Sequence, residues 1–479
     1  MNYFANIILL LSFAFGQFDK DPRQLSLGGA YSTIADGYFS SGVNPALLAS
    51  NKGISFNLLS LNSISVHNSF LSMADYNRLN GADLENPFAK KFFDKDELIQ
   101  NLNDRGISFD LSMNLDIPIS NIAYKNLAFT SSINSFSGIA LPDSFFRLVL
   151  TGNQIGDTID VDIGLDMLIS SEFTLSYGQS FNGFDIGVGV KYIQGFVYAG
   201  MNRATESYFL TTESAFYGSG NFLLNQSIGG KGVAFDFGIV SNRYSNGWKF
   251  GLSLSNIMGS IRYDGVNKIV DQFVRPQLQA SVPSEYYLRE NEMLLFNFQL
   301  DSLNAIKLQT STMSDIFSTS NYKVVLVNDN QNIDIHCADV DCVFLTDSTY
   351  LYPTDPEESF DLYNIQPFSL DYPSSISFGA SLLKENGDLF SLEIRNGFDD
   401  SFGNSKKPII SIGYELNQYK KISLRTGAFL GGKYKSGLSF GIGFNLKPIT
   451  FDVALSTKNS VSLMNSRGLE FAFATKVDL

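Results

Sequence analysis

The chain is poor in the residues that most enzymes and nucleic-acid-binding proteins rely on. Its 479 residues include two cysteines, two histidines and one tryptophan. So few imidazoles and thiols leave little acid–base or metal chemistry, so catalysis is not favoured and no cofactor is expected. Cationic residues are outnumbered, 34 Lys and Arg against 48 Asp and Glu, for a net charge of -14. Phosphate neutralisation needs basic patches, none is visible, and nucleic acid is not expected as a partner. Beyond the N-terminus the chain also lacks any apolar run of the roughly 18 residues that a bilayer-spanning helix requires. With a mean hydropathy of +0.01, this excludes a helical membrane protein. It does not exclude a membrane β-barrel, whose strands escape hydropathy averages because every second residue is polar or small.

Aromatic residues are abundant, with 42 Phe and 22 Tyr. Lipid-facing barrel walls use such residues heavily, and so do secreted all-β sandwiches. The pattern in which they occur favours the barrel. Leu438, Phe440, Ile442, Phe444 and Leu446 share one face of an extended chain, with Gly437, Ser439, Gly441, Gly443 and Asn445 on the other. Pro448 interrupts, and Ile449, Phe451, Val453 and Leu455 resume the period of two. The second face is small and polar rather than fully charged, as the inside of a barrel in hydrocarbon would be. Seven such strands are expected from 374 onward, starting near Ser375, Asp388, Pro408, Lys421, Lys435, Ile449 and Gly468. Earlier strands are read at Ile54–Leu61, Ile64–Phe70, Ile107–Met113, Ile122–Ile133, Val161–Ile169, Phe173–Gly178, Phe184–Phe196, Val233–Val240 and Trp248–Ile257. Asn182-Gly183 and Ser245-Asn246-Gly247 supply tight turns. Between 73 and 105 the alternation stops; Asp94 followed by Glu97 and the stripe Leu98, Ile99, Leu102 indicates a short helix.

Residues 1–16 carry a short apolar core, Ile7 to Phe15, ending in Ala14-Phe15-Gly16, and read as a signal peptide for export. No basic residue precedes that core. Residues 17–52 follow, with Arg23-Gln24-Leu25-Ser26-Leu27-Gly28-Gly29-Ala30, Ala35-Asp36 and Asn44-Pro45-Ala46. Gly28 and Gly29 permit close backbone approach and positive φ, and Asn44-Pro45 initiates a turn. This string resembles the N-terminal signature of outer-membrane barrels of the FadL fatty-acid transporter and PorV type, including uncharacterised relatives in Bacteroidetes-like bacteria. Ser26, Gly37 and Leu47 depart from the usual pattern. The resemblance implies an all-β fold, an antiparallel transmembrane barrel of about 14 strands over residues 53–479. It also implies a plug, or hatch, at 17–52, with the motif Gly28, Gly29, Ala30, Asp36, Asn44, Pro45 and Ala46, of which Gly28, Gly29, Asn44 and Pro45 are expected to bend and anchor it. It places the protein in the outer membrane of a Gram-negative bacterium, with outer-membrane lipid around it. Two partner classes follow: a hydrophobic ligand, for a FadL-like transporter, or secretion-system proteins, for a PorV-like docking barrel. A soluble all-β surface binding protein stays open as the alternative.

The stretch 328–371 holds ten Asp and Glu and no Lys or Arg, and is expected to be a solvated external loop. It could also hold Ca²⁺ loosely, without the spacing of a calcium loop. Cys337 and Cys342 lie within it and are candidates for a small disulfide; with His336 they make an incomplete zinc set, and no metal site is assigned. His67, in an early strand, is expected to face the lumen; pairing with a serine as a nucleophile's base is the remote alternative.

Overall fold

The computed structural model describes residues 21–479 apart from 106, 143, 145–149, 151–154, 162, 204–206, 264–291, 304–320, 327–335, 338–367 and 420. Residues 1–16, expected to be a signal peptide, Cys342 and most of the acidic loop therefore lie outside the described residues, as does the side chain of Cys337.

Among the described residues, alternation closes into a wall of 14 antiparallel strands. They run in chain order as β1 (Ile54–Asn68), β2 (Ile107–Asp116, resumed at Ile122–Tyr124), β3 (Leu127–Leu141), β4 (Gly164–Phe181) and β5 (Phe184–Arg203). Next come β6 (Phe216–Ile228, resumed at Lys231–Ser241), β7 (Trp248–Tyr263), β8 (Phe368–Asp371, resumed at Ser375–Leu383) and β9 (Leu389–Gly397). The last five are β10 (Ile409–Tyr419), β11 (Ile422–Gly431), β12 (Ser436–Leu446), β13 (Ile449–Lys458) and β14 (Gly468–Asp478). β14 returns to β1, with Ser55 opposite Asp478 and His67 opposite Gly468. This closure pairs the first wall strand with the last among the described residues, as a sheet in hydrocarbon requires.

The apolar rows face outward. Phe440, Leu446, Leu455 and Phe471 are exposed, as are Val188, Val190 and Tyr192, while their neighbours Ser439, Ser456, Glu470 and Lys191 are buried inside. Two packed sheets would have hidden the first set, so the soluble sandwich is set aside. Such a wall is stable where acyl chains cover it. Two expected breaks are bulges within single strands. β1 is continuous where two strands were expected, because its register against β14 slips between Asn57 and Ser60 and between Leu61 and Ile64. β4 likewise spans both Val161–Ile169 and Phe173–Gly178 from Gly164 onward, with a slip between Ile169 and Ser170. A bulge changes which face the next residue occupies, and the sequence then looks like a gap.

Short helices stand at the long-loop end, two of them among the described residues. Met73–Leu79 starts in a capping box of Ser72 and Asp75, and in Lys95–Arg105 the Asp94 side chain accepts the Asp96 N–H at 2.9 Å. Leu102 packs with Phe70 and Ile107, which seats the second helix on the β1–β2 rim. Residues 21–53 enter at the short-turn end and fill the lumen. Helix Pro22–Ser26 lies against β11 to β14, the turn Gly37–Ser40 against β1 to β3, and Pro45–Ser50 against β4 to β6.

Candidate functional site in the barrel lumen

The wall makes room for this segment with glycine. Gly178, Gly187 and Gly238 are cross-strand neighbours on β4, β5 and β6. A Cβ added at Gly178 would stand 2.6 Å from Ala49 N and 2.8 Å from Pro45 O, and one at Gly187 would strike the Pro45 and Ala46 backbone. On the far side, Gly413 and Gly427 pair across β10 and β11, under Leu27 and Gly28; at Gly413 the added Cβ would lie 2.7 Å from Leu27 Cβ. These two troughs seat the backbone of the segment directly against the backbone of the barrel.

Polar groups then fix its register. Arg23 reaches Glu415 through both Nε and Nη2, at 2.7 and 2.9 Å. Glu415 also meets Arg425 at 2.6 Å, and Arg425 pairs with Asp452. Breaking one arm of such a buried network leaves a charge without its partner, which is far costlier than losing an exposed pair. Asp36 binds Lys476 of β14 at 2.8 Å. Gly28 and Gly29 have φ of 66° and 95°, a region that side chains resist. Their bend points the N–H groups of Tyr31 and Ser32 at one oxygen of Glu393, at 2.9 and 2.8 Å. Asn44 caps the turn Pro45–Ser50: its oxygen accepts from Ala46 N–H at 3.2 Å and its amide donates to Ser32 O at 2.9 Å. Ala30 and Ala46 are buried between the segment and the wall. Asp21, buried against Tyr31, is pushed up to about 6 by that burial and by the nearby Asp452, while the Tyr31 hydroxyl and the Arg23 N–H oppose the rise.

Toward the long-loop end the lumen changes character. Phe136, Leu168, Ile193, Tyr198, Ala234, Ile261 and Tyr263 form an apolar cluster inside the wall. Phe402, from the loop between β9 and β10, inserts among them, edge-on to Phe136 at 5.7 Å and to Tyr198 at 6.2 Å between ring centroids. Between this cluster and the segment is a polar cavity of about 90 Å³, lined by Glu172, Lys191, Asn256, Tyr372, Glu393 and Arg395 among others. Tyr372 donates to Glu172 at 2.6 Å, and Lys191 pairs with Asp236 at 2.9 Å. The turn between β11 and β12 also folds inward, carrying Lys433 to Asp110 at 2.8 Å.

His67 is buried and its Nδ1 lies 3.1 Å from Asp110. Its Nε2 has no hydrogen-bond partner among the described residues, so no serine hydroxyl is set for activation there. The residues that sequence reasoning missed are Glu393, Glu415, Lys476 and Phe402. The first three showed only as inward-facing charges on otherwise small-polar strand faces, and Phe402 lies in a loop with no period to read.

A family described as "Family of unknown function (DUF5723)" matches residues 45–319. Among solved structures, the chain is similar to a Pseudomonas aeruginosa FadL homologue, at 12% identity and TM-score 0.46, over 97% of this chain and 99% of that one. It is similar to the Pseudomonas putida toluene transporter TodX at 10% identity and TM-score 0.46, over 97% and 98%, and to the Ralstonia pickettii toluene transporter TbuX at 11% and 0.43, over 96% and 98%. No curated protein matches the chain.

Proposed function

The chain belongs to DUF5723, a family of unknown function, and we propose that it is an outer-membrane barrel through which hydrophobic small molecules pass, with residues 17–52 as its plug. The observation that carries this reading is the series arrangement along the barrel axis. An apolar ring cluster around Phe136, Tyr198 and Phe402 comes first, followed by a segment held by ion pairs and hydrogen bonds against glycine troughs. Apolar solutes partition into the first. The second is joined to the wall by non-covalent contacts between side chains and backbone, so it can move without unfolding the wall. The motif residues take separate parts in this. Gly28 and Gly29 make the bend, Asn44 and Pro45 the turn, Asp36 the link to β14, and Ala30 and Ala46 the close fit.

A docking barrel for secretion-system proteins is the second reading. Its support is that Phe402 and Lys433 reach inward from loops above the plug, where a scaffold with no passage could carry them.

The test has two stages. Outer membranes are run on gels with and without heating; a closed barrel resists detergent and migrates differently when unheated. Identical mobility, with the protein in the soluble fraction, would sink the membrane reading. Uptake of an apolar fluorophore is then compared between a deletion strain and the complemented strain. Slower uptake in the deletion supports passage; unchanged uptake with a co-purifying secretion protein supports docking and overturns passage.

A further inference from the structure

The short-turn end of the barrel is basic in a chain of net charge -14. Lys125 joins β2 to β3, Arg243 lies between β6 and β7, Lys384 between β8 and β9, Lys421 between β10 and β11, and Lys447 between β12 and β13. Lys52 stands where the segment enters β1; Asn182-Gly183 alone carries no cation. The carboxylates in these connections are Glu385 and Asp388, the latter buried and accepting from the Tyr414 hydroxyl at 2.8 Å, while Asp36 and Asp478 at the same end both pair with Lys476, at 2.8 and 3.2 Å.

The direction of these cations decides what they can meet. Lys52 and Arg243 line the mouth of the lumen. Lys125, Lys384, Lys421 and Lys447 are exposed on the rim. Two of them lie over outward-facing rings, Lys125 over Tyr124 at 5.1 Å and Lys384 over Tyr414 at 5.5 Å. At the same level the wall carries exposed Tyr177, Phe181, Phe184, Tyr244, Phe250 and Tyr419. A belt of rings with amines just beyond it is the arrangement in which aromatic bodies sit at the hydrocarbon boundary and lysine amines extend to headgroup phosphates.

We propose that this rim binds the headgroups of anionic phospholipids in the leaflet at the short-turn end, through Lys125, Lys384, Lys421 and Lys447. The proposal rests on the membrane reading above. The cations are spread around the perimeter and backed by rings, so they complement a lipid annulus better than a single acidic patch on another protein. Screening then makes the contact salt-sensitive.

The folded barrel is purified in neutral detergent and titrated with phosphatidylglycerol or phosphatidylcholine, with retained lipid counted by native mass spectrometry. Phosphatidylglycerol should be retained at least tenfold better, and 0.5 M salt should erase most of the difference. A variant with Lys125, Lys384, Lys421 and Lys447 all changed to Gln should lose the preference. The matching Lys→Arg variant should keep it, and K406Q/K407Q, at the long-loop end, should leave it unchanged. Equal retention of both lipids by the parent overturns the proposal, as does an unchanged preference in the Gln variant. Inorganic phosphate displacing phosphatidylglycerol at equal concentration overturns it in favour of a free-anion site. A parent that fails to insert into liposomes of either lipid sinks the membrane reading itself, a result distinct from an inserted barrel without lipid preference.

Discussion

If residues 17–52 are held by backbone contact with the glycine troughs, one methyl group in each trough should loosen them. At Gly427 an added Cβ would meet Leu27 and Gly28 backbone atoms, and at Gly187 those of Pro45 and Ala46. Neither obstacle is a side chain that can rotate aside. Overpacking of this kind costs about 1–3 kcal/mol at one site. The two sites touch different stretches of the segment, so their effects should nearly add, to about 2–6 kcal/mol. Since 1.4 kcal/mol is roughly a factor of ten, G187A/G427A should raise the unseated fraction by about 30-fold or more. Gly164 is the control: a Cβ there would lie 3.5 Å from Ala140 Cβ, an ordinary contact. The readouts are trypsin cleavage after Arg23, which is half-buried when seated, and conductance in planar bilayers. Both should rise in the double variant and stay at the parent value in G164A, with the heat-dependent gel shift kept in all three. A double variant that inserts normally yet keeps parental protease protection and conductance would refute the argument that the troughs position the segment.

Four further outcomes are expected. Arg23→Ala leaves Glu415 with Arg425 as its remaining cation; the loss should fall short of the about 3–5 kcal/mol of a fully orphaned buried charge and appear as faster trypsin cleavage at Lys52. Lys476→Gln removes the link to Asp36 and should accelerate the same cleavage less than Arg23→Ala, since Asp36 is partly exposed. Phe402→Ala withdraws a ring from the apolar cluster; conductance should rise while the heating temperature that unfolds the barrel stays within a few degrees, because no wall strand is altered. Asp21 titrates near 6 when seated and near the ordinary 3.8 when released. Between those values the seated form holds the extra proton, so seating is strongest below about pH 4 and weakens as pH rises through 6. Conductance should therefore increase from pH 4 to 7, and Asp21→Asn should flatten that increase.

What could be read from the sequence follows from what a barrel wall demands of neighbours in the chain. Alternation is local, so all seven strands from Ser375 to Asp478 begin within a residue or so of where the period of two puts them. Bulges defeat the same logic, which is why β1 and β4 each read as two pieces. The partners of the N-terminal segment could not be read at all, because barrel closure brings them together: Arg23 and Glu415 are 392 positions apart. Yet those partners left one trace. Gly178, Gly187, Gly238, Gly413 and Gly427 all occupy inward positions of strands whose outward positions are aromatic or branched. Glycine weakens a strand, so its recurrence on the inner face of several strands has to be offset by something that comes close there. Small inward residues in a wall that encloses only water would gain nothing from losing their Cβ. The glycines are therefore a signal, present in the sequence itself, that another stretch of backbone lies against the inside of this barrel.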